Sequence, residues 1–305
     1  MTYLLFTLGL VGLFFGGEYL VRGASAVARH FGLSPMVIGL TIVGFGTSAP
    51  ELLVSLQAAL ADPPAPGIAI GNVVGSNIAN ILLILGVSAA IAPLAIPARK
   101  LWRDIGFMLA ATAILWVMLS DGQVTRMEGI LLLAGLAAFL ATAFLTGKEE
   151  PEEATLGDIA QWKAWAMTAA GLVVLVIGAR LLVDSATEIA RGFGISEAVI
   201  GLTIVAVGTS LPELATSVIA AIRKQTEIAV GNVIGSNIFN IFGILGTTAA
   251  IVPIPSEARF AGVDMPWAAG TAVGLSVLAF ALGGLPRIAG VLLLAVYGGY
   301  LWMMG

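Results

Sequence analysis

The sequence predicts an all-α integral membrane protein of ten transmembrane helices, built as two inverted-topology repeats of five, with helices 2 and 7 broken at the midplane. Three observations predict it. Hydrophobic residues make up 59% of the 305 and charged residues 10%, far from the roughly 45–50% and about 25% of an ordinary globular chain. Cutting the chain at its charged and proline-rich joints leaves ten apolar segments, each near the about 20 residues that a spanning helix needs. Finally, the second half of the sequence repeats the first.

The ten segments run 2–28, 36–60, 67–92, 103–120, 125–146, 163–190, 196–222, 227–252, 261–282 and 285–304. The first opens on "MTYLLFTLGLVGLFFGGEYLVRG", which is apolar from its start and lacks the basic region of a signal peptide, so it reads as a retained helix. The joints are short except for "TGKEEPEEATLGDIAQWK" (146–163), whose acidic residues and proline have the composition of a solvated linker. The predicted organisation is therefore a first five-helix repeat (1–146), a cytoplasmic linker (147–162) and a second, inverted five-helix repeat (163–305).

The repeat is explicit. "IGLTIVGFGTSAPELLVSL" (38–56) matches "IGLTIVAVGTSLPELATSV" (200–218) at 13 of 19 positions, and "AIGNVVGSNIANILLILG" (69–86) matches "AVGNVIGSNIFNIFGILG" (229–246) at 13 of 18. "ARHFGLS" (28–34) aligns with "ARGFGIS" (190–196) as well. Because five is odd, the second half must enter the membrane in the opposite orientation. With both termini outside, the cytoplasmic joints carry Arg29, Arg99, Lys100, Arg103, Lys148, Lys163, Arg223, Lys224 and Arg287, and the outer joints only Arg126, Arg191 and Arg259, which satisfies the positive-inside rule. Glu18 with Arg22, and Arg180 with Asp184, stand at i,i+4 near helix ends and read as snorkelling side chains with partial pairing.

"GFGTSAPE" (44–51) and its counterpart before Glu213 explain the broken helices. Proline removes a helical N–H and clashes with the carbonyl four residues back, and glycines ease departure from helical geometry. Such a break survives in a membrane only where protein or a cavity covers it. Matching breaks in two inverted halves are the mark of a secondary transporter's ion site. A single copy would fit a packing kink; two copies, each with a costly intramembrane glutamate, favour function. Ser76 and Asn80, like Ser236 and Asn240, lie at i,i+4 and face one side of their helices. Asn72, Asn77, Asn232 and Asn237 read first as helix glue or as donors supporting the ligands, with direct ligation the less favoured reading. Gly71 with Gly75, and Gly231 with Gly235, have the spacing of close helix packing.

The candidate metal ligands are thus all oxygens: the carboxylates of Glu51 and Glu213, the hydroxyls of Thr47, Ser48, Thr209, Ser210, Ser76 and Ser236, the amides of Asn80 and Asn240, and carbonyls freed near Gly44 and Ala206. This set suits a hard cation, calcium with its 6–8 oxygens above all, or sodium. Soft metals are disfavoured, since the chain has no cysteine and a single histidine, His30. A net charge of −4 without a basic stripe argues against nucleic acid. No facing aspartates and no nucleophile–base pair are visible, which argues against an intramembrane enzyme.

"GFGTSAPE" with "GNVVGSNIANI", and "AVGTSLPE" with "GNVIGSNIFNI", resemble the paired alpha-repeats of the calcium/cation antiporter superfamily, in its sodium/calcium exchanger branch. The resemblance spans the chain. It implies a secondary antiporter of the plasma membrane that exchanges sodium for calcium by alternating access, with both ions as substrates, the bilayer as surroundings, no cofactor and no obligate protein partner. Glu51 and Glu213 would be the central calcium ligands shared with sodium; Thr47, Ser48, Thr209, Ser210, Ser76 and Ser236 would complete the calcium and sodium positions; carbonyls of Gly44 and Ala206 would serve flanking sodium sites. Helices 1 and 6 would slide across the core. Potassium-dependent relatives carry aspartate where this chain has Asn240, so the resemblance implies exchange without potassium. The alternative within the superfamily is a calcium/proton antiporter; its members show a "GNxxE" pattern, whereas here glutamate follows "GTSxP".

Overall fold

The computed structural model describes residues 1–96, 98–147, 159–195 and 206–304, and these are almost entirely helical. The chain opens with α1 (Thr2–Phe31), then α2 (Pro35–Thr47) and α3 (Ala49–Leu60), which meet at a 44° bend. α4 (Pro66–Ile91), α5 (Ala98–Leu119) and α6 (Arg126–Thr146) complete the first half. The second half holds α7 (Gln161–Gly192), the short α8 (Ala206–Gly208), α9 (Leu211–Ile222), α10 (Thr226–Ile251), α11 (Phe260–Leu282) and α12 (Arg287–Met304). Eight of the described helices are long and apolar enough to cross a membrane, and the bent α2–α3 pair makes a ninth. α9 is apolar but short, and residues 196–205, the first part of predicted helix 7, lie outside the described residues.

Local chemistry sets the helix ends. Ser34 caps α2, its hydroxyl accepting from Val37 N at 3.3 Å, with Pro35 at the first helical position. Thr125 and Glu128 form a capping box at the start of α6. Gly32 closes α1 in a left-handed conformation that glycine adopts without strain. Two short antiparallel strand pairs tie the joints together: β1 (Leu94–Ala95) with β4 (Gly284–Leu285), and β2 (Gln123–Val124) with β3 (Ile254–Pro255).

The middle of the molecule belongs to α4 and α10. In their most apolar stretches 72% and 94% of residues are buried, against 22% in α6 and 17% in α12, which turn apolar side chains such as Leu131 and Leu292 outward. Their π-helical turns at Asn80–Ile84 and Asn240–Leu245 widen the backbone there, as does a third at Gly39–Val43 in α2. α10 packs closely on α2: a Cβ at Gly231 would lie 2.8 Å from Met36 O and 3.0 Å from Leu40 N. A Cβ at Gly71 would lie 3.7 Å from the Phe260 ring.

The long helices α1 and α7 cross this core against each other. Glycines line the crossing. A Cβ at Gly9 would stand 2.7 Å from Leu182 N, one at Gly16 2.7 Å from Leu175 N, and one at Gly171 2.7 Å from Gly16 O. Backbones this close leave no room for a side chain and can slide without unlocking interdigitated knobs. Gly171→Val should therefore separate the two helices, at a cost of about 1–3 kcal/mol for overpacking. We expect a lower thermal unfolding midpoint in detergent than for wild type, while Gly299→Val, with open space around its Cβ position, stays at the wild-type midpoint.

Candidate cation site

The two helix breaks are alike in geometry. Ser48 takes φ −82°, ψ 7° and Ser210 φ −88°, ψ 7°, and each is followed two residues later by the proline. Glu51 and Glu213 then sit in the first turn of α3 and α9, each about 1% exposed. Each carboxylate reaches hydroxyls from the opposite half. Ser48 Oγ donates to Glu213 Oε1 at 2.9 Å, and the Ser210 and Thr209 side chains lie near Glu51. The two glutamates are near enough for their charges to repel. Ser210 Oγ lies 3.5 Å from Ser76 Oγ, and Thr47 Oγ1 lies 3.2 Å from Asn232 Oδ1.

Asparagines position the glutamates from behind. Asn72 Nδ2 donates to Glu51 O at 3.0 Å and to Ser55 Oγ at 2.9 Å; Asn232 Nδ2 does the same to Glu213 O at 3.3 Å and Ser217 Oγ at 2.9 Å. α3, which carries Glu51, packs on the Asn240–Leu245 turn, and α9, which carries Glu213, on the Asn80–Ile84 turn. Asn80 and Asn240, both 1% exposed, thus open the turn that packs on the glutamate-bearing helix of the other half.

Four side-chain oxygens here are buried and bonded to nothing: Glu51 Oε2, Glu213 Oε2, Asn80 Oδ1 and Asn240 Oδ1. The contrast with the other buried acids is decisive for the electrostatics. Glu18 accepts from Arg223 Nε at 2.8 Å and Nη2 at 2.5 Å, Asp104 accepts from Arg103 Nη2 at 2.7 Å, and Asp264 faces Arg259 at 3.5 Å. Among the described residues no basic side chain pairs with Glu51 or Glu213. A buried carboxylate without a cation is costly. The donors gathered here, being oxygens throughout, are of the kind that a hard cation takes.

The Gly44 carbonyl departs from expectation. It is not freed: it accepts from Ser48 N at 3.2 Å and from Ser236 Oγ at 3.3 Å. Pro50 lacks the N–H that Gly46 O would take in a continuous helix, and Gly46 O accepts instead from a backbone N–H at the cap. Ala206 opens the described part of the second break as the first residue of α8. Glu18 keeps the expected partial pairing with the exposed Arg22 and gains a closer, distant partner. Its main partner is Arg223, 205 residues away, while Arg22 Nε stays at 3.7 Å with its side chain largely exposed. Ser55 and Ser217, both fully buried, were not singled out in the sequence, although they occupy identical places in the first repeat motif.

A cavity of about 180 Å³ reaches from Thr209 and Pro212, beside Glu213, and Pro50, beside Glu51, to Gln57, Arg180 and Asp184. On the far side of the breaks the Glu18–Arg223 pair holds α1 against the end of α9.

A family model described as "Sodium/calcium exchanger protein" matches residues 1–145 and 163–305. The chain belongs to that family. It is accordingly a membrane cation antiporter and not an enzyme, and the ions such a protein handles are substrates rather than cofactors. The sodium/calcium exchanger MaX1 of Methanosarcina acetivorans is 35% identical over 99% of this chain and 97% of its own length. CaxA of Alkalimonas amylolytica is 39% identical over 97% and 96%. A solved structure of the sodium-calcium exchanger NCX_Mj, soaked with zero Na+ and Ca2+, superposes with a TM-score of 0.88 at 35% identity, covering 100% of this chain and 99% of that one.

Proposed function

We propose that this antiporter exchanges sodium for calcium across the plasma membrane by alternating access, without potassium, through a site formed by Glu51, Glu213, Asn80 and Asn240 with the surrounding hydroxyls. The observation that carries the reading is a pair of buried carboxylates with no basic partner among the described residues, each with an oxygen that accepts no hydrogen bond, as is true also of the buried amide oxygens of Asn80 and Asn240. Two negative charges balance one calcium ion, and both oxygens of each carboxylate with the two amides make six ligands before any hydroxyl or water is added, within the range calcium takes. Sodium can replace it as several ions spread over the same oxygens and those of Thr47, Ser48, Ser76, Thr209, Ser210 and Ser236. The names of MaX1 and NCX_Mj support the choice of ions. Asn240 supplies a dipole in place of a further carboxylate, so the site has no third charge to hold potassium beside calcium.

The same reading takes the chain as two inverted repeats of five spans, 1–146 and 163–305, joined by a cytoplasmic 147–162 linker, with both termini outside. Several contacts support it, because each joins segments that this topology puts on one face. β1 pairs with β4 and His30 Nε2 bonds Ile159 O at 2.6 Å on the cytoplasmic side; β2 pairs with β3 and Arg126 bonds Ile251 O at 3.0 Å on the outer side. In this frame the cavity at Arg180 and Asp184 opens outward, while Glu18–Arg223 closes the inner side. Sliding of the α1–α7 pair over the core would exchange the two. The Ala206 carbonyl, beside the second break, is retained as a sodium ligand on the same reading.

Glu51→Gln and Glu213→Gln should each abolish sodium-driven calcium uptake into proteoliposomes, since an amide keeps the shape and halves the charge, while ion-free thermal unfolding stays within a few degrees of wild type. Near-normal flux in either variant would remove that residue from the site. Wild-type flux should be equal with potassium or an inert cation as the accompanying salt; a potassium requirement would contradict the role given to Asn240, and uptake driven by a proton gradient without sodium would establish proton coupling instead. For topology, the chain lacks native cysteine, so Pro64→Cys and Glu152→Cys should label from opposite faces of the membrane. Labelling of both from one face would refute the five-plus-five arrangement.

A further inference from the structure

We infer that Asn77 and Asn237 are positioning residues that decide which end of the Asn240 and Asn80 amides meets the cation, and that they thereby restrict those two positions to a side chain that can donate. The inference rests on the assignment of Asn80 and Asn240 as ligands. An amide is an ambiguous ligand: its oxygen attracts a cation and its NH2 repels one, yet the two ends are nearly the same size. Something must choose between them. Asn80 Nδ2 donates to Asn237 Oδ1 at 2.9 Å, and Asn240 Nδ2 donates to Asn77 Oδ1 at 2.9 Å. With the NH2 ends held across the repeat boundary, the Oδ1 atoms are the ones left buried and unbonded.

The holders are themselves fixed. Asn77 Nδ2 donates to Asn237 O at 3.0 Å and Asn237 Nδ2 to Asn77 O at 3.3 Å. A backbone carbonyl can only accept, so the far end of each amide must be its NH2, and the near end must be the oxygen that receives Asn240 or Asn80. Turning Asn77 over would set donor against donor at Asn240 and acceptor against acceptor at Asn237 O. All four side chains are 5% exposed or less, which leaves no water to relieve such a clash. The orientation of the ligand oxygens therefore originates in two main-chain carbonyls at the contact between α4 and α10. A charged carboxylate at 80 or 240 would accept only and would confront the oxygen of Asn237 or Asn77; a side chain there must bring a proton of its own.

Double-mutant cycles on the full-length protein in proteoliposomes test this, read as apparent KM for calcium and as Vmax per folded protein. Asn240→Ala and Asn77→Ala should each raise the KM, by about tenfold and about three- to tenfold, with Vmax within about twofold. Adding Asn77→Ala to Asn240→Ala should raise it no further, because Asn77 acts on calcium only through Asn240. Adding Asn77→Ala to Asn80→Ala should multiply the two effects, because Asn80 is held by Asn237. A purely structural Asn77 would lower the unfolding midpoint and leave KM alone. Multiplicative effects in the Asn77/Asn240 cycle, or an unchanged KM in Asn77→Ala, would overturn the inference while leaving Asn240 a ligand. An unchanged KM in Asn240→Ala would remove the ligand assignment and the inference with it. The Asn237/Asn80 cycle makes the same prediction independently and decides the matter if Asn77→Ala does not fold.

Discussion

Two carboxylates buried in an apolar bundle, with no arginine or lysine paired to them among the described residues, are the constraint from which the rest of this structure follows. Every other buried acid among the described residues has its cation built in: Glu18 has Arg223, Asp104 has Arg103, Asp264 has Arg259. On the proposed reading, Glu51 and Glu213 take their balancing charge from outside, and a charge that is not covalently attached can be exchanged. The helix breaks at Ser48 and Ser210 bring the two acids to the ends of short helices, where first-turn N–H groups favour a negative charge. Those breaks are tolerable only because α4 and α10 cover them, which is why these two helices are the most buried of the bundle.

Around the acids many of the hydrogen bonds cross between the halves. Ser48 serves Glu213, Ser210 reaches Ser76, and Asn77 and Asn240 bind one another as Asn237 and Asn80 do. The site is thus a property of the contact between the halves, and a rigid one. Movement belongs elsewhere. The glycine-lined α1–α7 crossing has few interlocking side chains, and the Glu18–Arg223 pair joins α1 to the end of α9 where it can be broken without disturbing the ligands. In the proposed cycle a stiff ion site stays in place while a smooth pair of helices passes over it, opening one face as it closes the other.

Much of this was legible in the sequence, and the exceptions have physical reasons. Hydropathy placed the helices well: segments 227–252 and 261–282 appear as Thr226–Ile251 and Phe260–Leu282. The repeated "GTSxPE" and "GSNxxN" motifs located the breaks and brought out Glu51, Glu213, Asn80 and Asn240 together, because identical residues in two copies signal a shared geometric demand. The π-helical turns at Gly39, Asn80 and Asn240 were not legible, since one extra residue in a turn leaves no compositional trace. Nor was the Glu18–Arg223 pair: i,i+4 spacing drew attention to Arg22, and a partner 205 residues away is set by how helices pack. The bond from Ser236 to the Gly44 carbonyl was not legible either, since the two residues lie 192 positions apart.

The central claim is that Glu51 and Glu213 share one exchangeable cation. Equilibrium calcium titration of the purified protein by calorimetry, repeated at increasing sodium, tests it most directly. One calcium should bind per chain in sodium-free buffer, and its apparent affinity should fall with sodium more steeply than first power, because more than one sodium must enter to displace it. Two independent calcium ions per chain, or calcium binding indifferent to sodium, would contradict a single shared site.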